Sequence, residues 1–207
     1  MEFNDVVRRR RMVRNYTDEP VEQAAIDRIM HAAVRAPSAG FSQGQRFIVV
    51  TDHATRLAVA EAGGEAEYVA SGFEPWISRA PVHVVICTDK GAYLRRYSEP
   101  DKAAAATGQD KESGWVVPYW WVDAGASMMA ILYAAVNEGL AAGFLGAHAL
   151  DNLKTVLGIP DEIDIVGIAT IGHPAEDRRS GSLTRGWNPS SDVIMNNHWT
   201  APRVPRV

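Results

Sequence analysis

The stretch "YWWVDAGASMMAILYAAVNEGL", 119–140, carries apolar residues on nearly every side of the helix it would form. A helix with no polar face has to be covered all round, which strongly limits where a chain can place it. A bilayer would cover it only if about 20 apolar residues ran on without interruption. Here the uncharged core, "AGASMMAILYAAV", is cut off by Asp123 before it and by Glu138 after it. The helix is therefore expected inside protein, in a core or at a subunit interface. Its small residues (Ala124, Gly125, Ala126, Ser127, Ala130, Ala134, Ala135) permit a second helix to come close.

Around it the pattern alternates. "RFIVVT", "PVHVVICT", "AAGFLGA" and "IDIVGIATIGHP" read as buried strands. Helices are expected over 17–36, capped by Thr17 or Asp18 and stopped by Pro37, over 54–62, less regularly over 63–80, and after Asp151 as a cap. The opening "EFNDVVRRRRMVRNY" reads as helical as far as Arg14, which would put Arg10 and Arg14 on one face. No linker or repeat divides the 207 residues, so one domain of α+β or α/β class is expected. Residues 89–118 are too long for an ordinary connection and read as a flap or insertion. Tyr93, Tyr97 and Trp115, with Tyr119 and Trp120 beyond, either stack on a flat ligand or lie in the core, while Arg95, Arg96 and Lys102 offer charge to an acidic group. The tail after Arg178 is polar, with little periodicity.

Net charge is −4 and the pI about 5.9, which is a poor basis for binding nucleic acid. Cys87 is the one cysteine, within a buried strand, so disulfides and thiolate metal sites are excluded. The six histidines lie far apart, and HExxH, phosphate-loop, GxGxxG and GxSxG patterns are missing. No metal is expected. Acidic residues in "MEFNDVV" argue against a secretory or mitochondrial leader, consistent with a reducing cytoplasm. Three segments stand out. "RRRRMVR" packs five arginines into seven positions, either as a solvated basic face or as a cradle for phosphate, which guanidinium forks suit better than lysine. "APSAGFSQGQRFIVV" is either a plain connection or a loop of small residues that lets backbone approach a flat ligand. "GLAAGFLGAH" is a glycine-rich turn with amides within reach of a ligand.

Together these segments resemble the nitroreductase family of flavin enzymes. The resemblance is carried by Arg10, Arg11, Met12, Val13, Arg14, Asn15 and Tyr16, then "DEPV", then Ala36, Pro37, Ser38, Gln43 and Phe47–Val50, and by "GL" and "IGHPAE" further on. It implies an α+β fold with a mostly antiparallel mixed sheet flanked by helices, and an intertwined homodimer with FMN at the subunit interface. The 89–118 segment would then be a lid, and 188–207 would wrap the partner chain. The activity implied is NAD(P)H-dependent reduction of nitroaromatics, quinones or related acceptors by a ping-pong route, with NADH, NADPH and a deazaflavin open as donors. Flavin fragmentation of the dimethylbenzimidazole synthase kind, or flavin binding without turnover, are the alternatives.

Residue by residue, the resemblance places Arg10, Arg11 and Arg14 on the flavin phosphate, ribityl and pyrimidine groups. Pro37, Ser38 and Ala39, with Gln43 in the same motif, fall where the partner chain lies against the isoalloxazine. Leu145, Gly146 and Ala147 match the turn whose amide faces flavin N5, so that Arg14 and Gly146 are the residues closest to the chemistry. Arg185, with Arg178 and Arg179 as rivals, would complete the phosphate site. Met12 stands where many members carry serine, and Phe41 where a small or polar residue is common. The deiodinase pattern of a glutamate four residues before a tyrosine is not met at Tyr68, because position 64 is glycine.

Overall fold

The computed structural model describes residues 1–103, 108–150, 152–178 and 180–200. It comprises two compact units, Met1–Asp177 and Arg178–Val207. The first is built on four strands, β1 (Gln45–Val50), β2 (Val82–Asp89), β3 (Ala141–Gly146) and β4 (Ile163–Gly172), in the order β1-β2-β4-β3. Every pairing among them is antiparallel. One parallel contact is described, an isolated bridge between Met12 and Ala142 at the outer edge of β3.

Both faces of this sheet are covered, so β2 is buried along its whole length and has no polar alternation. Val82, Val84 and Ile86 face helices α2 (Gln23–Val34) and α8 (Tyr119–Asn137). Val85 and Cys87 face α3 (His53–Ala62), Trp76 and Ile77, as the period of two requires. Cys87 is a core thiol, its pKa pushed up to about 11 by burial. His83 points to the same side, fully buried, with Nε2 donating to the Ile77 carbonyl at 2.7 Å.

The long helix forms where its pattern requires cover. Asp123, Ala124, Ser127, Ile131, Leu132, Ala135 and Val136 are buried. Val122 is 51% exposed, Trp121 is exposed, and a Cβ on Gly125 would meet open space. Among the described residues, nothing covers that stripe of α8. No described helix is long and apolar enough to cross a membrane.

Two local expectations change. The first helix, α1 (Phe3–Arg9), stops short of Arg14, and Arg10 already has an extended backbone. Continuing it would stack like charges one turn apart, whereas leaving it lets Val13 and Tyr16 enter the core. Thr17 and Asp18 do not cap α2, which starts at Gln23 behind Glu22 with no side-chain cap. The chain is still extended there because the Thr17 N–H donates to the His173 carbonyl at 3.0 Å, and Pro20 disfavours helix at the residue before it. The irregular 63–80 region is two short helices, α4 (Glu65–Ala70) and α5 (Trp76–Arg79), parted by Gly72 in a left-handed conformation and by Pro75.

Residues 89–118 hold helix α6 (Lys90–Tyr97) and the short α7 (Pro100–Ala103). Asp89 caps α6 through the Ala92 N–H at 3.0 Å. Tyr93, Trp115 and Trp120 are buried against one another edge to face, with ring centroids 5.6–6.2 Å apart, and form a core cluster of their own. These rings are not an exposed stacking surface. Nor are the two arginines free charges: Arg95 pairs with Asp89, and Arg96 with Glu99 and Asp101. Residues 104–107 of this segment lie outside the described residues, as do Asp151, Arg179 and 201–207.

The second unit contains a 3-10 turn, Gly181–Arg185, and helix Ser190–Val193. Arg185, Trp187 and Trp199 are exposed in it.

Candidate functional site

Arg8 and Arg9 end α1, and an extended backbone sorts the three arginines that follow. Side chains alternate along residues 10–14, so Arg10, Met12 and Arg14 share one side and Arg11 turns to the other. Arg9 and Arg11 flank a groove of about 160 Å³ with Val136, Gly139 and Leu140. The spacing of four that suggested a helix face thus serves equally well in a strand, since two divides four. The segment is pinned by the Val13 N–H donating to the Ala142 carbonyl (3.0 Å) and by the buried Tyr16 hydroxyl, 3.0 Å from the Val13 carbonyl and 2.8 Å from the Thr170 hydroxyl. Burial holds that phenol well above its ordinary pKa. Gly143 makes the approach possible: a Cβ there would run into the Val13 carbonyl and come within 3.1 Å of the Trp76 ring.

The Arg14 guanidinium lies over the Trp76 indole, 5.8 Å from its centroid. Trp76 opens α5, whose first amides are held by the buried carboxylate of Glu65, which accepts from Ile77 (2.6 Å) and Ser78 (2.9 Å). Among the described residues, the guanidinium groups of Arg10, Arg11 and Arg14 have no hydrogen bond or ion pair. The Trp76 Nε1 is buried and likewise without a partner.

From Trp76 an aromatic wall continues through Tyr68 (6.0 Å, edge to face) to Phe73 (6.3 Å). These two rings line a cavity of about 860 Å³ together with Glu61, Glu67, Ser71 and His148. The expected turn borders it. β3 ends at Gly146, Ala147 begins a 3-10 turn, and Leu145 is buried behind them, within 3.1 Å of where a Cβ on Gly63 would sit. Trp76, Tyr68, Phe73 and His148 were not expected at the site. His148 had a signal, lying inside the glycine-rich stretch; the three aromatics sit in an irregular region with no motif to mark them.

The 37–43 loop is elsewhere. Its Ala39 N–H donates to the Asp123 carboxylate (2.8 Å), the Gln43 N–H to the Ser38 hydroxyl (3.0 Å), and Arg96 to the Gly40 carbonyl (2.8 Å). Gly40, Phe41 and Gln43 all have positive φ, of 62°, 58° and 49°. At Phe41, 75% exposed, that conformation is strained for a residue with a side chain. The packing of the loop on Tyr93, Tyr97 and Asp123 maintains it; a Cβ on Gly40 would lie 2.7 Å from the Tyr97 ring. So the 90–97 helix supports this loop from beneath. The loop precedes β1 at one edge of the sheet, while the arginine segment runs along β3 at the other. Three strand spacings of about 4.8 Å separate those edges. The arginine segment and β3, with Leu145, Gly146 and Ala147 at its end, thus lie at one edge of the sheet, and Pro37, Ser38, Ala39 and Gln43 lie at the other.

The donor set suits an anion joined to a flat ring: unpaired forks at one end, an indole and an aromatic cavity at the other. No group of three or more metal-ligating side chains occurs among the described residues. An α+β sheet covered by helices on both faces, with an arginine-bearing segment along one edge, is the class of protein this defines. The sequence model of the Nitroreductase family matches residues 7–173, and the chain belongs to that family. It is 29% identical over 187 residues to an NADH dehydrogenase of Thermus thermophilus, covering 82% of this chain and 85% of that protein. It is 30% identical over 168 residues to an FMN reductase (NAD(P)H) of Bacillus subtilis, covering 80% of this chain and 63% of that protein. NfrA2 of B. megaterium shares the fold, with a TM-score of 0.73 over 97% of this chain and 76% of that one at 23% identity.

Proposed function

We propose that the chain is an FMN-dependent NAD(P)H oxidoreductase of nitroaromatics, quinones or related acceptors, working by a ping-pong route as a homodimer. The observation that carries this reading is the unpaired Arg10–Arg14 strand beside Trp76 and the aromatic cavity. Bound FMN would supply a carrier that takes a hydride from the nicotinamide and passes it on. The chain supplies the rest. Arg10 would hold phosphate through charge-assisted bonds, whereas Arg11 turns into the groove beside Val136 and Leu140 and takes no part in that cradle. Arg14, held over the Trp76 indole, would offer a fixed cation to the pyrimidine end of the flavin and so favour the reduced ring. The Gly146 amide, between Leu145 and Ala147, would serve the N5 position. The tail after Arg178 wraps the partner chain. The Pro37–Ala39 loop, with Gln43, covers the flavin of the other subunit, because it lies too far from the arginines of its own.

The relative named FMN reductase supports the cofactor, and the bare stripe of α8 supports the dimer. Gly125→Leu tests the dimer cleanly. Among the described residues, nothing beyond the helix's own turn lies within 4 Å of a Cβ at that position, so folding should be spared, while close approach of two α8 helices should be blocked. Sedimentation is expected to show a dimer for the parent and a monomer of unchanged circular dichroism for the variant.

The function itself is tested anaerobically. Purified yellow protein should be bleached by NADH or NADPH, recover its colour on adding a quinone, and release intact FMN on denaturation. Fragmented flavin, or no bleaching by either donor, would overturn it. Arg10→Ala is expected to weaken FMN binding by about 1.5–3 kcal/mol, the scale of a charged hydrogen bond. Arg14→Ala should in addition lower the midpoint potential, read by dye-coupled redox titration.

A further inference from the structure

Reduction of a quinone or nitro group consumes a proton along with each hydride, and the Gly146 turn carries a group suited to deliver it. The imidazole of His148 lies against Gly146, with Nδ1 2.9 Å and Cε1 3.1 Å from the position a Cβ would occupy. That position is two bonds from the Gly146 amide nitrogen. The ring is exposed, lines the 860 Å³ cavity, and has no hydrogen bond or ion pair among the described residues. Glycine at 146 leaves the imidazole its place; any side chain there would crowd it out. Among the described residues, Glu61 from α3 and Glu67 and Tyr68 from α4 are the other titratable groups lining the cavity, and the segment after the turn contributes Asn152 and Val156. Of these side-chain types, imidazole is the one that exchanges protons readily near neutrality.

We propose that His148 is the general acid of the acceptor half-reaction. The inference rests on reading 145–147 as the turn that faces flavin N5. For a quinone, the N5–H bond breaks and its electron pair goes with the hydrogen to the acceptor, where a new bond to hydrogen forms. The quinone oxygen left with the charge takes a proton from the imidazolium of His148, which becomes neutral imidazole, giving the hydroquinone and oxidised flavin. Solvent then reprotonates the imidazole. Tyr68 and Phe73 hold the acceptor flat beside it.

The test uses FMN-loaded enzyme and its His148→Gln and His148→Ala variants, with the two half-reactions followed separately by stopped flow. Reduction by NAD(P)H and FMN content should stay within about twofold. Reoxidation by a benzoquinone should slow by about 100-fold or more, the range of general acid catalysis, lose its pH dependence between pH 5 and 8, and recover in His148→Ala on adding imidazole. Binding gives a readout independent of turnover: 4-nitrobenzoate, which stays ionised over this range, should bind the oxidised parent more tightly as pH falls through it, and bind the variants without that dependence. Reoxidation with unchanged rate and pH profile, or an equal loss in both half-reactions, would overturn the role of His148 alone. A parent protein that binds no FMN would overturn the flavin reading beneath it.

Discussion

Asp123→Ala is expected to cost about 3–4 kcal/mol of folding stability and to strip the protein of flavin while every arginine remains in place. Asp123 is 6% exposed, and one of its oxygens accepts both the Ala39 N–H and the Tyr93 hydroxyl, each at 2.8 Å. Burial, then the adjacent carboxylate, hold the Tyr93 phenol above its ordinary pKa, so it stays a donor. Alanine would leave two donors without an acceptor, at about 1–3 kcal/mol each. It would also free a loop kept in left-handed conformations at Gly40, Phe41 and Gln43. If that loop covers the flavin of the other subunit, cofactor is lost from a site whose phosphate ligands are intact. Asp123→Asn retains an acceptor and should fall between. Urea denaturation and an FMN titration on the same samples check both halves of the expectation.

Acid is expected to weaken the fold through His83. Desolvation pushes its pKa down to about 4 from 6.5, outweighing the opposing hydrogen bond to Ile77. Its Nδ1 is buried without a partner, so a proton added there would have nothing to donate to. Between those two values the unfolded chain binds the proton and the folded chain refuses it. Stability is therefore fully present above about pH 6.5 and drains away as pH falls toward 4, by about 3 kcal/mol in all. Carboxylates add their own acid loss, so the variant isolates the effect. His83→Gln can still donate to the Ile77 carbonyl but has no such titration. Its urea midpoint should fall less between pH 7 and pH 4 than that of the parent, by the equivalent of about 3 kcal/mol.

The strands and the long helix were legible because burial on both faces writes itself as unbroken apolar runs, as in "VHVVIC" and "ASMMAILY". The arginines were legible as a cluster and misleading as a shape. A spacing of four fits one turn of helix and two repeats of strand alike, and the choice was made by Val13 and Tyr16 finding a core and by Gly143 leaving room for them. The aromatics of 89–118 could not be assigned from the sequence, since a ring that stacks on a ligand and one that fills a core are the same residue. Tyr93 and Trp120 lie together through a tertiary contact that no local pattern records. Trp76, beneath Arg14, was hidden for the same reason.

The arginine segment and the 37–43 loop lie on opposite edges of the sheet, an arrangement that would tie cofactor retention to mass action in a shared site. If each flavin is clasped by one copy from below and another from above, ligand binding and subunit association share a single free energy. FMN would then tighten the pair, and dilution would bleed colour from it. A mixed pair, with one chain short of its arginines and the other short of its loop, would keep one complete cradle and lose the second altogether.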